Sequence, residues 1–107
     1  EQKVHELNGL FIPAHIDRLR FGLLGQLGFV PADLNADGFE ISTNCIPEAF
    51  ISQHPELSGH QIISGSDAHH PDQIGRRVTV FEMDNADFEC FRLALRSKHL
   101  GTVKILI

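Results

Sequence analysis

Residues 63–71 read ISGSDAHHP, and they place an aspartate and a histidine directly after a short apolar run. The apolar run has the composition of a buried strand, and Gly65 and Ser66 mark the turn at its end. Asp67 and His69 are two residues apart, so a tight loop can direct both side chains toward one point. Carboxylate and imidazole groups bind zinc, manganese and iron. The stretch therefore predicts a strand whose carboxyl end carries a metal-binding loop.

Short apolar runs alternate with helix-like segments on both sides of this loop. The predicted strands cover residues 10–16, 39–42, 61–64 and 77–83, with a last strand or tail at 102–107. Helices are predicted over 1–8, over 18–29, from Pro47 and over 85–101. This alternation predicts an α/β fold with mainly parallel strands. In such folds ligands bind at the carboxyl ends of the strands.

The last predicted helix carries the strongest helical signal in the chain. Asn85 is a candidate N-cap, and Gly101 is the residue that ends the segment. Phe88 and Phe91 share one face of this helix, and we expect both rings to lie in the core.

A third ligand-type residue follows another predicted strand. His15 comes directly after the apolar run 10–14, and Glu40 lies in the next strand. We expect His15, Asp67 and His69 to converge at one edge of the sheet. Each also has an ordinary interpretation, because an Asp-x-His triplet is common in surface loops and a lone histidine after an apolar run is usually a core residue. The residues alone leave both interpretations open.

Composition limits the classes of partner. The 107 residues carry a net charge of −5, and the nine Lys and Arg residues form no run, which disfavours a nucleic-acid partner. No apolar stretch reaches the ~20 residues that cross a bilayer, and the polar start is unlike a signal peptide. Cys45 and Cys90 are far apart, which fits a reducing cytoplasm better than a disulfide scaffold. The chain begins within a predicted helix, as a piece of a longer protein would.

Two segments, GLFIPAHIDR at 9–18 and GSDAHHPDQIGRR at 65–77, resemble in this order the C-terminal part of the PHP family. This is the polymerase and histidinol phosphatase superfamily of metal-dependent phosphoesterases. The resemblance extends from about Val4 to about Leu100, and the His-x-His strand that opens the family's domain is absent. It implies that residues 1–107 are the C-terminal portion of a PHP domain. The implied fold is the C-terminal fragment of a distorted (β/α)7 barrel.

The same resemblance implies a chemistry and a set of residues. His15, Asp67 and His69 would be metal ligands, with Asp67 and His69 also catalytic. Arg18 and Arg76 would bind the substrate phosphate, although arginines of this kind also pair with surface carboxylates. The implied cofactors are divalent Zn, Mn or Fe ions, two or three in the full-length parent. The implied reaction is hydrolysis of a phosphoester by a metal-activated hydroxide.

The partners follow from this reaction and from the missing first motifs. We expect a phosphorylated small molecule or nucleotide as substrate, a cytoplasmic location, and no membrane partner. The fragment alone is expected to be inactive. Its unpaired strand edges are expected to pair in a homo-oligomer. The alternative from a different class is a non-catalytic metal- or partner-binding module.

Overall fold

Short helices and strands make up the regular structure in this computed structural model, which describes residues 1–97 and 102–106. The helices are α1 Gln2–Glu6, α2 Leu23–Leu27, α3 Pro47–Gln53 and α4 Phe88–Arg96. The strands are β1 Phe39–Glu40, β2 Ile62–Ile63, β3 Val78–Phe81 and β4 Val103–Leu106. Single turns of 3-10 helix lie at Pro55–Leu57 and Pro71–Gln73.

One sheet consists of the parallel pair β1 and β2, in which Phe39 is opposite Ile62. The predicted strand 10–16 lies beside β1 without becoming a regular strand. Its link to β1 is a pair of backbone hydrogen bonds, in which the N–H of Glu40 donates to the carbonyl of Pro13 (3.0 Å) and the N–H of Ile16 donates to the carbonyl of Glu40 (2.9 Å). Proline has no N–H to donate, so Pro13 cannot complete a ladder.

The other sheet is the antiparallel pair β3 and β4, in which Val78 is opposite Leu106 and Phe81 is opposite Val103. The chain between these strands carries α4. Thr79 joins this sheet to the end of β2, because its Oγ1 accepts a hydrogen bond from the N–H of Ser64 (2.9 Å) and donates to the carbonyl of the same residue (2.7 Å).

The predicted fold class, an α/β C-terminal fragment of a distorted (β/α)7 barrel with mainly parallel strands, is wrong. The described residues form two separate two-stranded sheets, one parallel and one antiparallel, and they close no barrel. The parallel strands span two residues each, which is too short for a barrel wall. The helix predicted over 18–29 is only five residues long in the structure, as α2. Gly22 is its N-cap, and Gly28, in a left-handed conformation, is its C-cap.

Several individual elements were predicted at the right places. The strands at 39–42, 61–64 and 77–83 are confirmed in shortened form as β1, β2 and β3. The helix from Pro47 is confirmed as α3, with the proline in its first turn. The helix in 85–101 is confirmed as α4, but its N-cap is Asp87, whose side chain accepts from the N–H of Cys90 (2.8 Å), and its predicted end at Gly101 lies outside the described residues.

The core lies beneath the parallel pair. The side chains of Ile16, Phe39, Ile41 and Leu57 are at most 1% exposed and belong to one apolar cluster. Burial of this apolar surface holds the segment before β1, β1 itself and the chain leading to β2 in fixed relation. The loops at the carboxyl ends of these segments are therefore held close together.

Helix α4 contacts the chain just before β1 and also strand β3. Leu95 is 1% exposed, and a Cβ atom added at Gly38 would lie 2.8 Å from its Cδ1, so this approach needs a glycine. Phe91 packs edge-on against Phe81, with ring centroids 4.9 Å apart. The prediction that Phe88 lies in the core is wrong, because its side chain is 51% exposed.

Candidate functional site

A small pocket of about 30 Å³ lies where the segment before β1, the end of β1 and the loop after β2 meet. Its lining includes His15 and Arg18 from the first segment, Glu40 and Thr43 from β1 and its following loop, and Asp67 from the loop after β2. This volume holds one small species, such as a water molecule or a single ion. The structure thus brings two of the three predicted ligands, His15 and Asp67, to one pocket.

His15 occupies a tight turn at the end of its segment. Its φ angle is +34°, a left-handed conformation that is uncommon for residues other than glycine. The backbone N–H of His15 donates to Glu40 Oε2 (3.2 Å), and its carbonyl accepts from the N–H of Arg18 (3.0 Å). Its ring nitrogen Nδ1 is buried and has no hydrogen-bond partner among the described residues. A buried polar atom without a partner costs free energy, so it marks a place where a ligand could bind.

Asp67 is also held in a left-handed conformation, with a φ angle of +48°. Its Oδ2 accepts a hydrogen bond from Arg18 Nη2 at 2.7 Å, and the side chains of the two residues are about half exposed. This hydrogen bond is the main reason why the pKa of Asp67 lies below its ordinary value, and the electrostatic influence of the neighbouring Arg18, His69 and Arg76 side chains adds to it. Asp67 is therefore an ionised carboxylate whose partner is a guanidinium group.

His69 does not join the other two predicted ligands. It does not line the pocket, and its Nδ1 lies 2.8 Å from the backbone carbonyl of Asp67. A carbonyl oxygen only accepts, so this ring nitrogen carries a proton. The backbone N–H of His69 donates to Gln73 Oε1 (2.9 Å), which fixes the loop.

Two neighbouring arginines lie outside the pocket, and Arg76 braces the loop after β2. Arg76 Nε donates to the carbonyl of Ser66 (2.7 Å), and Ser66 Oγ in turn accepts from the N–H of Gly75 (2.8 Å). Arg77 is 8% exposed, and its Nη2 donates to the carbonyl of Cys45 (3.0 Å). Of the two predicted phosphate contacts, Arg18 lines the pocket and Arg76 does not.

Thr43 is a site residue that sequence reasoning missed. Its Oγ1 donates to the carbonyl of Gly65 at 2.8 Å, which ties the loop after β1 to the loop after β2. A threonine in a polar loop carries no signal for such a contact, because the two residues are 22 positions apart.

The donor set at the pocket is incomplete for a metal ion. No group of three His, Cys, Asp or Glu side chains that could hold an ion occurs within residues 1–97 and 102–106. His15 has an unpartnered ring nitrogen, but the Asp67 carboxylate is bound to Arg18 and Glu40 Oε2 accepts from the His15 backbone. The described residues therefore do not form a metal site by themselves, and a site here would need donors from elsewhere.

Comparison with known proteins finds a similarity over part of the chain. Residues 56–100 match a family model described as PHP-associated. Residues 56–100 are thus similar to a PHP-associated region. The match confirms the resemblance to the C-terminal part of PHP proteins that the two motifs indicated. The PHP-associated region contains Asp67, His69 and Arg76, while His15 and Arg18 precede it.

A curated relative extends the similarity over most of the chain. The uncharacterized protein YqxK of Bacillus subtilis (strain 168) is 32% identical over 103 residues. The match covers 92% of this chain and 26% of the Bacillus protein, so the chain spans about a quarter of that relative's length. No solved structure matches the chain significantly. Within the described part of the chain, no helix is both long and apolar enough to cross a membrane.

Proposed function

We propose that the chain is the C-terminal segment of a PHP-type phosphoesterase that depends on divalent metal ions. The match to a PHP-associated family model supports a relation to PHP proteins, and the pocket is the proposed location of the reaction. The observation that carries the proposal is the buried Nδ1 of His15, which has no partner among the described residues although His15 lines the same pocket as the ionised Asp67.

The chain supplies part of the ligand set in this proposal. His15 and Asp67 would bind at the pocket, and His69 would offer Nε2 from the same loop as Asp67. Zinc, manganese and iron take four to six donors, of which at least one is water or substrate in a catalytic site. The remaining donors would come from residues outside this chain, so we expect the chain by itself to be inactive.

The contribution of this chain's own residues to the reaction is binding and orientation. A divalent ion held by His15, Asp67 and further donors would supply an activated water as the nucleophile. Arg18 would hold the phosphate of the substrate, because its guanidinium lies at the pocket and its side chain is 44% exposed. Arg76 would keep the Asp67 loop in place through the carbonyl of Ser66. The substrate remains a predicted phosphorylated small molecule or nucleotide.

A non-catalytic binding module is the second candidate, and one observation favours it. The Asp67 carboxylate already has a cationic partner in Arg18, and the described residues offer no third metal donor beside it. In that case the pocket would be a structural ion pair with a small void. The cytoplasmic location, the homo-oligomer and the assignment of residues 1–107 to a PHP domain stay predictions.

Metal content and hydrolysis together test the proposal. The chain and its natural longer parent would be loaded with Mn²⁺ or Zn²⁺, dialysed and analysed for bound metal. We expect His15→Ala and Asp67→Asn to lose metal. The control His70→Ala, which also removes one imidazole but at an exposed position, should keep it. Equal metal content in all variants would contradict the ligand assignment.

Hydrolysis separates the two candidate functions. The metal-loaded parent should release phosphate from p-nitrophenyl phosphate, and His15→Ala and Asp67→Asn should abolish this activity. A parent that holds metal through these residues and hydrolyses no phosphoester would support the binding module instead.

A further inference from the structure

The carboxylate of Asp17 makes two hydrogen bonds to one residue of a neighbouring loop. Its Oδ1 accepts from the backbone N–H of Ser42 at 2.6 Å, and its Oδ2 accepts from the Ser42 hydroxyl at 2.5 Å. The two residues are 25 positions apart, and Ser42 lies in the loop that follows β1. Because hydrogen bonds are directional, two of them to one residue fix both distance and orientation. Asp17 therefore holds its own segment in register with the end of β1.

The same loop also contacts the loop that carries Asp67. Thr43, the residue after Ser42, donates from its Oγ1 to the carbonyl of Gly65 at 2.8 Å. Gly65 precedes Asp67 by two residues and lines the same pocket. The loops around the pocket are thus joined in sequence, and Asp17 connects the first of them to the second.

Arg18 is the pocket residue that this arrangement places most directly. Asp17 precedes it in the chain, and the N–H of Arg18 donates to the carbonyl of His15 at 3.0 Å, so its backbone is held on both sides. The Arg18 side chain is oriented by Asp67, which accepts from Nη2 at 2.7 Å. A guanidinium has further N–H donors on Nε and Nη1, and at Arg18 neither has a hydrogen-bond partner within the described part of the chain. Those donors are available to an anion.

We infer that Asp17 is a positioning residue for phosphate binding, because its bonds to Ser42 hold the turn that presents Arg18 at the pocket. The inference rests on one point of the proposed function, the assignment of the substrate phosphate to Arg18. Asp17 does not line the pocket, so it acts through the backbone and not by contact with the anion. The physical reason is preorganisation: an arginine that is already oriented loses less conformational entropy when it binds.

Titration of the chain with inorganic phosphate, followed by NMR, tests the inference. Asp17→Ala removes both acceptors of Ser42, and we expect it to weaken phosphate binding about three- to tenfold. Loss of one negative charge would by itself favour an anion, so this weakening has the opposite sign to a charge effect. Asp17→Asn keeps an acceptor for the Ser42 N–H, and its amide donates to the Ser42 hydroxyl, so it should restore the affinity to within about twofold. Phosphate affinity that is unchanged or tighter in Asp17→Ala would overturn the inference.

Two further variants separate positioning from loss of stability. Asp37→Ala removes a carboxylate with hydrogen bonds from three groups, but Asp37 lies outside the pocket, so its folded fraction should bind phosphate like the unmodified chain. Equal weakening in Asp37→Ala and Asp17→Ala would show a purely structural role and overturn the inference. Ser42→Ala removes the hydroxyl bond and keeps the backbone bond, so it should weaken phosphate binding less than Asp17→Ala. It replaces Asp17→Ala as the test if that variant does not fold, and unchanged affinity in Ser42→Ala would then overturn the inference.

The inference and the phosphate contact fail in different ways. Arg18→Gln should abolish phosphate binding, whereas Arg20→Gln, which removes one positive charge from an exposed residue two positions away, should retain it. If Arg18→Gln loses phosphate while Asp17→Ala binds it normally, the inference is wrong and the phosphate contact stands. If the unmodified chain binds no phosphate, or binds it no better than Arg18→Gln does, then the assignment of the phosphate to Arg18 is wrong and the inference fails with it.

Discussion

Among the residues that the structure describes, Asp37 and Asp67 each bind an arginine, and the two sites differ in almost every other respect. The side chain of Asp37 is 4% exposed and accepts hydrogen bonds from a backbone N–H, from His5 and from Arg96. The side chain of Asp67 is 48% exposed, and the hydrogen bond that reaches it comes from Arg18. Asp37 therefore joins α1, the segment before β1 and α4, whereas Asp67 has a partner that can leave at little cost.

The backbone conformation at the two sites differs as well. The backbone at His15 and Asp67 is left-handed, and strain of this kind collects at functional sites. The backbone at Asp37 carries no such strain, and its carboxylate is surrounded by fixed donors. The carboxylate of Asp37 is therefore held by more contacts, and by more buried ones, than the carboxylate of Asp67.

Removal of the buried carboxylate should have the largest effect. Asp37→Ala leaves Arg96, His5 and the N–H of Phe11 without their acceptor, so we expect the free energy of unfolding to fall by about 2–3 kcal/mol. The control Asp72→Ala removes an exposed carboxylate and should change it by less than about 0.5 kcal/mol. Urea denaturation of both variants measures the effect. Equal unfolding midpoints for the two variants would show that the Asp37 network does not stabilise the fold.

Two glycine substitutions compare the packing beside Asp37 with the packing beside the pocket. A Cβ at Gly38 would lie 2.8 Å from Leu95 Cδ1 and 3.1 Å from the carbonyl of Gln61, whereas a Cβ at Gly65 would meet its nearest atom at 4.0 Å. We expect Gly38→Ala to destabilise the chain by about 1–3 kcal/mol, because overpacking a core forces side chains and backbone to shift. Gly65→Ala, at the edge of the pocket, should be close to neutral. Thermal unfolding that ranks them in the reverse order would contradict the packing of α4 on β1.

Acid should weaken the chain mainly through Asp37. Burial raises the pKa of Asp37, but the hydrogen bonds from Phe11, His5 and Arg96 outweigh it and hold the pKa below the ordinary value of 3.8. Because the folded pKa is the lower one, this contribution to stability is present above pH 3.8 and is lost as the pH falls through the folded pKa. As the pH is lowered from neutrality, the midpoint of urea unfolding should fall more steeply in the unmodified chain than in Asp37→Asn. If the midpoint falls equally with pH in both proteins, protonation of Asp37 is not the cause of the acid destabilisation.

Local signals predicted much of the regular structure and little of its assembly. Pro47 predicts the start of α3, and the apolar pair before Gly65 predicts β2, because both depend on nearby residues. The barrel came from family resemblance, and the two-residue parallel strands do not support it. The bond between Arg18 and Asp67 spans 49 positions, so no local pattern could reveal it.

The position of His69 shows why the three predicted ligands did not converge. In a strand, residues i and i+2 point to the same side, and this rule suggested that Asp67 and His69 would act together. The left-handed φ of +48° at Asp67 turns the chain instead, and the ring of His69 folds back on the Asp67 carbonyl. A positive φ at an aspartate is compatible with its side chain but is not encoded by any pattern in the sequence.

Substitution of Asp67 should have the smallest effect on stability, although we propose that it has a large effect on metal binding. Asp67→Asn removes an exposed ion pair, and such pairs contribute little to folding, so its urea midpoint should match that of the unmodified chain. The same substitution should abolish metal binding at the pocket, because an amide oxygen is a much weaker donor than a carboxylate for Zn and Mn. Asp37→Asn should show the opposite pattern, with a lowered midpoint and unchanged metal affinity in the fraction that stays folded. If Asp67→Asn unfolds as readily as Asp37→Asn, then the pocket is a structural ion pair and the contrast between the two aspartates does not hold.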